Sequence, residues 1–164
     1  MSIGLMVLRL VLGLTLAAHG AQKLFGWFGG PGLDGTARGF EGLGFIPGRR
    51  AAVLAGLAEG GGGLLLALGL FTPAAAAALL AVMVVASGSV HIQNGFFAQN
   101  GGYEYTLVLA FGVLSLAFTG PGVISLDAAF GLDLYGAEWG VGALVAGLAG
   151  GGFQLARRQR RVAA

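Results

Sequence analysis

The fold is decided by residues 3–22, which read IGLMVLRLVLGLTLAAHGAQ. A helix needs about 20 mainly apolar residues to cross the hydrocarbon core of a bilayer, and this stretch supplies them. A secretory signal peptide would have an apolar region of about 7–15 residues behind a positively charged stretch. Here Arg9 lies inside the apolar region and no charged stretch precedes it. The segment therefore predicts an uncleaved transmembrane helix.

The composition of the whole chain agrees with this prediction. Of its 164 residues, 56% are hydrophobic and 10% are charged, whereas soluble domains contain about 25% charged residues. A protein with this little charge would not stay dissolved in water. We therefore expect a lipid bilayer to surround it. The chain contains no cysteine, which excludes disulfides, thiolate catalysis and cysteine metal sites. Its basic residues cluster beside apolar segments, as in membrane proteins, and do not indicate a nucleic-acid partner.

Further apolar segments predict further helices. Residues 50–71, 73–92 and 103–119 complete a four-helix transmembrane bundle with the first segment, and Glu138–Leu155 is a Gly-rich candidate for a fifth span. The connection over residues 24–49 predicts a short interfacial helix near Asp34–Leu43, with Phe40 and Leu43 facing lipid. The fold class is therefore an all-α membrane protein.

The distribution of charge decides between four and five spans. Basic residues follow the first helix and the last apolar segment, whereas the connection after residue 119 contains Asp127 and Asp133 and no base. Cytoplasmic loops carry an excess of Lys and Arg, and only five spans place both basic regions on one side. We predict residues 1–130 as a four-helix unit, and residues 131–164 as an extra helix with a basic cytoplasmic tail. The basic residues are Lys23, Arg38, Arg49 and Arg50, then Arg157, Arg158, Arg160 and Arg161.

The first two helices and the next two resemble copies of one hairpin. Gly30 and Gly102 stand at the same offset from His19 and His91, and each following helix has an early glutamate. The pattern predicts a tandem two-helix repeat. A chance match in a Gly-rich chain is the alternative.

Ionisable side chains within spans are costly, and they suggest a functional site. Because successive helices alternate in direction, the ends of helices one and three meet the starts of helices two and four at one membrane face. This face holds the candidate catalytic residues His19, Glu59, His91 and Glu104, and the candidate ligand-binding residues Gln22, Lys23, Asn94, Phe97 and Tyr103. Glu59 lies deepest, where a carboxylate must be paired or protonated. We expect His19 to be its partner and all these residues to line one pocket.

Several of these residues also have a structural interpretation. Lys23 near a helix end can extend its ammonium group to the lipid headgroups. His91 and Glu104 can lie in the headgroup zone, and interfacial aromatic residues commonly anchor helix ends. Arg9 lies toward the opposite face, where it can reach headgroups or pair with Asp127.

The residue types at this face favour proton-coupled quinone chemistry. Histidine or glutamate can supply protons to quinone oxygens, while an apolar bundle holds the ring and tail. A metal site is a weaker alternative, since the Glu-x-x-His spacing of di-iron bundles is absent. No motif for an intrinsic flavin, nucleotide or haem is present. A quinone would therefore be an external ligand, and its electrons would come from a soluble or membrane-bound redox partner.

Seven short stretches occur in order along the chain: HGAQKLFG at 19–26, AGLAE at 55–59, GLFT at 69–72, HIQNGFF at 91–97, GGYEY at 101–105, TGPG at 119–122 and SLD at 125–127. Together they resemble the DoxX family of small bacterial membrane proteins. The resemblance implies a four-helix, multi-pass unit in the bacterial cytoplasmic membrane. The family is similar to the membrane subunit of thiosulfate:quinone oxidoreductases, which implies a redox role. The sulfur half of that reaction is not implied, because this chain has no cysteine.

Three functions remain open at this point. The leading hypothesis is a redox component that binds a quinone or similar apolar ligand, acting as an oxidoreductase subunit with its partner. The second is a non-enzymatic scaffold that recruits soluble proteins through its basic tail and first loop. The third is a small transporter or lipid-handling protein. Gly56/Gly60 and Gly147/Gly151 have a spacing that suits contacts within the chain or in a homo-oligomer.

Overall fold

The computed structural model describes residues 2–159, and every regular element in that range is helical. All five predicted apolar helices and the interfacial helix are present. α4 continues past Ala86 as a π-helical turn, Ser87–His91, and a 3₁₀ turn, Ile92–Asn94. The α-helices of the described range are α1 (Ser2–Phe25), α2 (Gly32–Gly42), α3 (Gly48–Leu68), α4 (Thr72–Ala86), α5 (Glu104–Thr119), α6 (Leu126–Ala129) and α7 (Ala137–Ala156).

Four helices within the described range are long and apolar enough to cross a membrane. They are α1, α3, α4 with its extension to Asn94, and α7. α5 has 16 residues, which corresponds to about 24 Å at 1.5 Å per residue. Large apolar side chains remain exposed along these helices, for example Val11, Leu64, Phe111 and Val145. Such surfaces require lipid as their solvent.

α1 and α3 form the closest helix pair, because small residues let their backbones touch. A Cβ atom at Gly63 would lie 2.5 Å from both the Ala17 nitrogen and the Gly13 carbonyl oxygen. A Cβ atom at Gly20 would lie 2.3 Å from the Gly60 nitrogen. Gly60, half of the first predicted small-residue pair, therefore serves a contact within the chain.

α7 packs closely against α4 because glycine residues of α7 face α4. A Cβ atom at Gly147 would lie 2.7 Å from a methyl carbon of Leu80, and one at Gly151 would lie 2.6 Å from Cβ of Val84. The second predicted small-residue pair thus also serves a contact within the chain. The centre of the bundle is filled by fully buried side chains of α1, α3, α4 and α5, namely Leu16, Leu66, Leu79, Val113 and Leu116.

A buried carboxylate organises the end of the bundle where α1 begins. Asp127, 1% exposed, accepts hydrogen bonds from the backbone N–H of Phe71 at 2.7 Å and of Thr72 at 3.1 Å. It also accepts one from the Thr72 hydroxyl at 2.7 Å. These bonds hold the α3–α4 turn against the connection between α5 and α7.

Arg9 lies at the same end and is buried, with an exposed fraction of 4%. It donates hydrogen bonds to the carbonyl oxygen of Ala67, at 2.9 Å, and to that of Ile124. The interpretation that Arg9 reaches the lipid headgroups is therefore wrong. Asp127 is near enough to stabilise its charge electrostatically, although the ion pairs found in residues 2–159 do not include this pair.

Asp127→Ala is expected to destabilise the protein by about 2–3 kcal/mol. The substitution leaves the part-buried N–H group of Phe71 and the buried N–H group of Thr72 without an acceptor, and a buried group without a partner costs about 1–3 kcal/mol. The measurement is the free energy of unfolding in mixed micelles. Asp133→Ala is the matched control, since Asp133 is an exposed aspartate of the same connection. Equal stability losses in the two variants would contradict the role given to Asp127.

Candidate functional site

An ion pair between α1 and α3 lies at the opposite end of the bundle. Lys23 Nζ donates to Glu59 Oε2, and the two side chains are 25% and 5% exposed. The expected partner of Glu59, His19, instead has its ring 6.5 Å from that of Tyr105, measured between centroids. The predictions that His19 pairs with Glu59 and that Lys23 extends to the headgroups are therefore wrong. A lysine has the longer reach and carries the positive charge that a buried carboxylate requires.

A cavity of about 630 Å³ opens beside the ion pair. Lys23 and Glu59 contribute to its wall, together with Gln22. The rest of the wall comes from α2, α3, α4 and α7 and is mainly apolar, with side chains such as Leu54, Ala58, Ala78, Val82 and Val85. Cavities of about 300–1,000 Å³ with apolar walls and a few polar groups are typical of small-molecule sites.

Sequence reasoning missed part of this wall. Thr36, Ser89 and Gln154 line the cavity, and none of them was a predicted site residue. Ser89 lies in the π-helical turn that ends α4, and such turns are frequent at functional sites. Gln154 could have been found from the sequence, since a polar amide within an apolar helix suggests a functional role. Thr36 had no such signal.

The hydroxyl groups of the cavity donate hydrogen bonds back to the main chain. Thr36 Oγ1 donates to the Lys23 carbonyl oxygen at 3.2 Å, and Ser89 Oγ donates to the Val85 carbonyl oxygen at 2.6 Å. Their oxygen lone pairs can still accept hydrogen bonds.

Helix α2 covers one side of the cavity. Phe40 and Leu43, which are predicted to face lipid, line the cavity and are each partly buried. α2 folds back against the start of α3, where a Cβ atom at Gly48 would lie 2.2 Å from the Ala37 carbonyl oxygen. This contact holds the apolar side chains of α2 beside the cavity.

Three other predicted site residues stabilise the loop between α4 and α5. His91 Nδ1 lies 2.7 Å from the Gly101 carbonyl oxygen, and Asn94 Nδ2 donates to the same oxygen at 3.2 Å. Glu104 Oε2 accepts a hydrogen bond from the Ala98 backbone N–H at 2.9 Å. None of these three side chains is among those that line the cavity.

The remaining predicted residues also lie at this loop. Tyr103 packs edge-on against Phe96, with ring centroids 5.5 Å apart, and Phe97 is 58% exposed. The prediction of one pocket lined by all the candidates is therefore wrong. The loop closes on itself through backbone hydrogen bonds, including Tyr103 N–H to the Gly95 carbonyl oxygen at 3.1 Å.

The two glutamates of the predicted repeat make different contacts. Glu59 pairs with Lys23, which stands four residues after His19, whereas the position four residues after His91 is Gly95. The second hairpin thus has no ammonium group at that place, and Glu104 accepts a backbone N–H instead. The tandem repeat itself stays a prediction.

The C-terminal end of α7 lies at the cavity end of the bundle. Arg158 Nε donates to the Leu43 carbonyl oxygen, and the Gln159 N–H donates to the Gly44 carbonyl oxygen at 2.9 Å. The start of the basic tail therefore contacts the basic first connection, as expected if the two lie on one side of the membrane. Arg160 and Arg161 lie outside the described residues.

The first three long helices, α1, α3 and α4, lie within a match to a known family. A family model, DoxX, matches residues 4–92, which is more than half of the chain and includes Lys23 and Glu59. The chain belongs to the DoxX family. It is accordingly a small multi-pass membrane protein, as the apolar helices also indicate. The DoxX match ends before α5 and α7, so the resemblance over residues 93–130 stays a prediction. No curated protein and no solved structure matches the chain.

Over residues 2–159 there is no group of three or more His, Asp or Glu residues close enough together to hold a metal ion.

Glu104→Ala is expected to loosen the α4–α5 loop without changing the cavity. Removing the acceptor of the Ala98 N–H should cost about 1 kcal/mol locally, which corresponds to an approximately fivefold faster amide hydrogen exchange in this loop. Exchange in α3 around Glu59 should remain as in the wild type. Faster exchange at both places would indicate that the loop and the ion pair form one unit.

Proposed function

We propose that this DoxX protein is a membrane component of a redox system and binds a quinone in the cavity beside Lys23 and Glu59. The observation that carries the proposal is the combination of a mainly apolar cavity of about 630 Å³ with an ion pair in its wall. The apolar walls suit a ring and an isoprenoid tail. The ion pair suits the polar oxygen atoms of the ring.

The hydrogen-bonding capacity of the pair supports a ligand that changes between carbonyl and hydroxyl. A lysine ammonium group has three N–H donors, and only one contact to Glu59 is seen. The remaining donors can bind a quinone carbonyl oxygen, and the second Glu59 oxygen can accept a hydrogen bond from a quinol hydroxyl. A quinone becomes a quinol by taking up a pair of electrons and a pair of protons. The electrons would come from a partner protein, since the chain has no motif for an intrinsic redox cofactor.

Glu59→Gln is expected to weaken quinone binding at least about tenfold. Glutamine no longer holds the Lys23 ammonium group at the cavity wall through an ion pair, so the quinone carbonyl loses the hydrogen bond that this group donates. Hydrogen bonds to charged groups contribute about 1.5–3 kcal/mol, and 1.4 kcal/mol is a factor of ten in the dissociation constant. The measurement is the Kd of decylubiquinone, determined by equilibrium gel filtration of protein in mild detergent. Asp34→Asn is the matched control, because Asp34 forms an ion pair with Arg49 on the surface, where the two side chains are 77% and 66% exposed.

The binding experiment also separates the alternatives. An unchanged Kd in the Glu59→Gln variant would remove the ion pair from the site. Failure of the wild type to bind decylubiquinone, together with a phospholipid that resists exchange in the cavity, would favour the lipid-handling hypothesis. The scaffold hypothesis gains little from the structure, because Arg158 of the tail already binds within the chain.

A further inference from the structure

α7 lies outside the DoxX match, and yet it forms part of the cavity wall. Gly150 and Gln154 line the cavity, and their spacing of i, i+4 places them on one face of the helix. Gly147 and Gly151, which pack on α4, complete with them an i, i+3, i+4, i+7 series along the same side of the helix. One side of α7 therefore contributes both to the packing on α4 and to the cavity wall.

The position of α7 is held at several points. Gly147 and Gly151 allow close packing on α4, as described above, and Leu155 lies beside α4's π-helical turn, 2.7 Å from the place of a Cβ atom at Gly88. At its end, the Gln159 N–H binds the Gly44 carbonyl oxygen at 2.9 Å. A side chain on a helix held in this way can act as a fixed recognition group.

We infer that Gln154 is a specificity-determining residue of the cavity, and that α7 completes the binding site. Its amide offers both donors and an acceptor, from a different helix than the Lys23–Glu59 pair. The ligand class that fits is an apolar ring compound with two oxygen atoms, one for the ion pair and one for Gln154. This inference rests on the proposed function. It adds a second polar contact for the ligand, from Gln154, and it adds α7 as a wall of the binding site.

The first experiment compares two probes that share a ring and a tail. Decylubiquinone has ring oxygens, and decylbenzene has none. Gln154→Leu should weaken the binding of decylubiquinone about three- to tenfold, the contribution of one neutral hydrogen bond. It should leave the binding of decylbenzene within about twofold, since the apolar wall is kept. Gln99→Leu, at an exposed position of the α4–α5 loop, should change neither affinity.

A second experiment tests the wall itself. A Cβ atom at Gly150 would meet only Cβ of Ala81, at 3.6 Å, whereas one at Gly152 would meet nothing within 4 Å. Gly150→Trp should therefore fold with its indole in the cavity and weaken both probes by about tenfold or more. Gly152→Trp should place the same indole in lipid and bind both probes normally.

The outcomes distinguish this inference from the proposed function. If Glu59→Gln weakens decylubiquinone binding but Gln154→Leu and Gly150→Trp do not, α7 is no part of the site, while the proposed function stands. If none of the three variants differs from the wild type, both fail. If Gln154→Leu weakens both probes equally, Gln154 supports the cavity only structurally, and its role in specificity is overturned. Should Gly150→Trp not fold, the two-probe comparison with Gln154→Leu decides alone.

Discussion

Gly63→Ala is expected to destabilise the protein by about 3 kcal/mol or more. The added Cβ would lie 2.5 Å from backbone atoms of Ala17 and Gly13. Backbone atoms cannot rotate away as a side chain can, so α1 and α3 must move apart and lose their contact. Overpacking of a core costs about 1–3 kcal/mol even where side chains can adjust. The measurement is the free energy of unfolding in mixed micelles.

Gly61→Ala provides a control on the same helix. A Cβ atom there would meet nothing within 4 Å, because Gly61 faces outward, away from α1. Alanine is the better helix former by up to about 1 kcal/mol, so this variant should be as stable as the wild type or slightly more stable. If the two alanine variants lost equal stability, the close contact between α1 and α3 would be refuted.

Lys23→Met is expected to cost about 3–5 kcal/mol, since it leaves the Glu59 carboxylate buried without its partner. The thioether keeps the length of the lysine stem, so packing changes little. The corresponding change in the surface pair, Arg49→Met, should cost only about 0–1 kcal/mol, because both of its partners are mostly exposed. Thermal unfolding in detergent compares the two variants directly.

A double variant shows whether the loss comes from the unpaired charge. Lys23→Met combined with Glu59→Leu removes both charges, and replacing a whole buried pair by apolar residues is often neutral or stabilising. We therefore expect the double variant to recover most of the stability lost in Lys23→Met. A double variant less stable than Lys23→Met would show that the carboxylate stabilises the fold in another way.

The helices of this protein could be predicted from the sequence because lipid imposes a simple rule on them. Residues 3–22 had to form a helix of membrane length, and α1 extends over that whole range. The charge pattern likewise predicted that Glu138–Leu155 is a further spanning helix, and α7 meets the length and hydropathy of a span. Among the α-helices of residues 2–159, α6, a single turn, was missed. The hydropathy and charge of each segment determine whether that segment spans the membrane. A single sequence is therefore enough to predict the spanning helices.

The candidate site could be predicted only in part, because it depends on contacts between segments. The alternation of helices correctly placed Lys23 and Glu59 at one end of the bundle. It could not show that the loop after His91 closes on itself, since that closure consists of backbone hydrogen bonds. It also could not show that α2 and α7 line a cavity, because their places in its wall depend on tertiary packing.

The most direct test of the proposed function is the quinone content of the protein itself. Wild type and Glu59→Gln are extracted from membranes into polymer nanodiscs, which retain native lipid, and organic extracts of both are analysed by chromatography. The account predicts near-stoichiometric quinone in the wild type and little in the variant. Equal amounts of quinone in both samples, or none in a wild type that keeps its phospholipid, would contradict it.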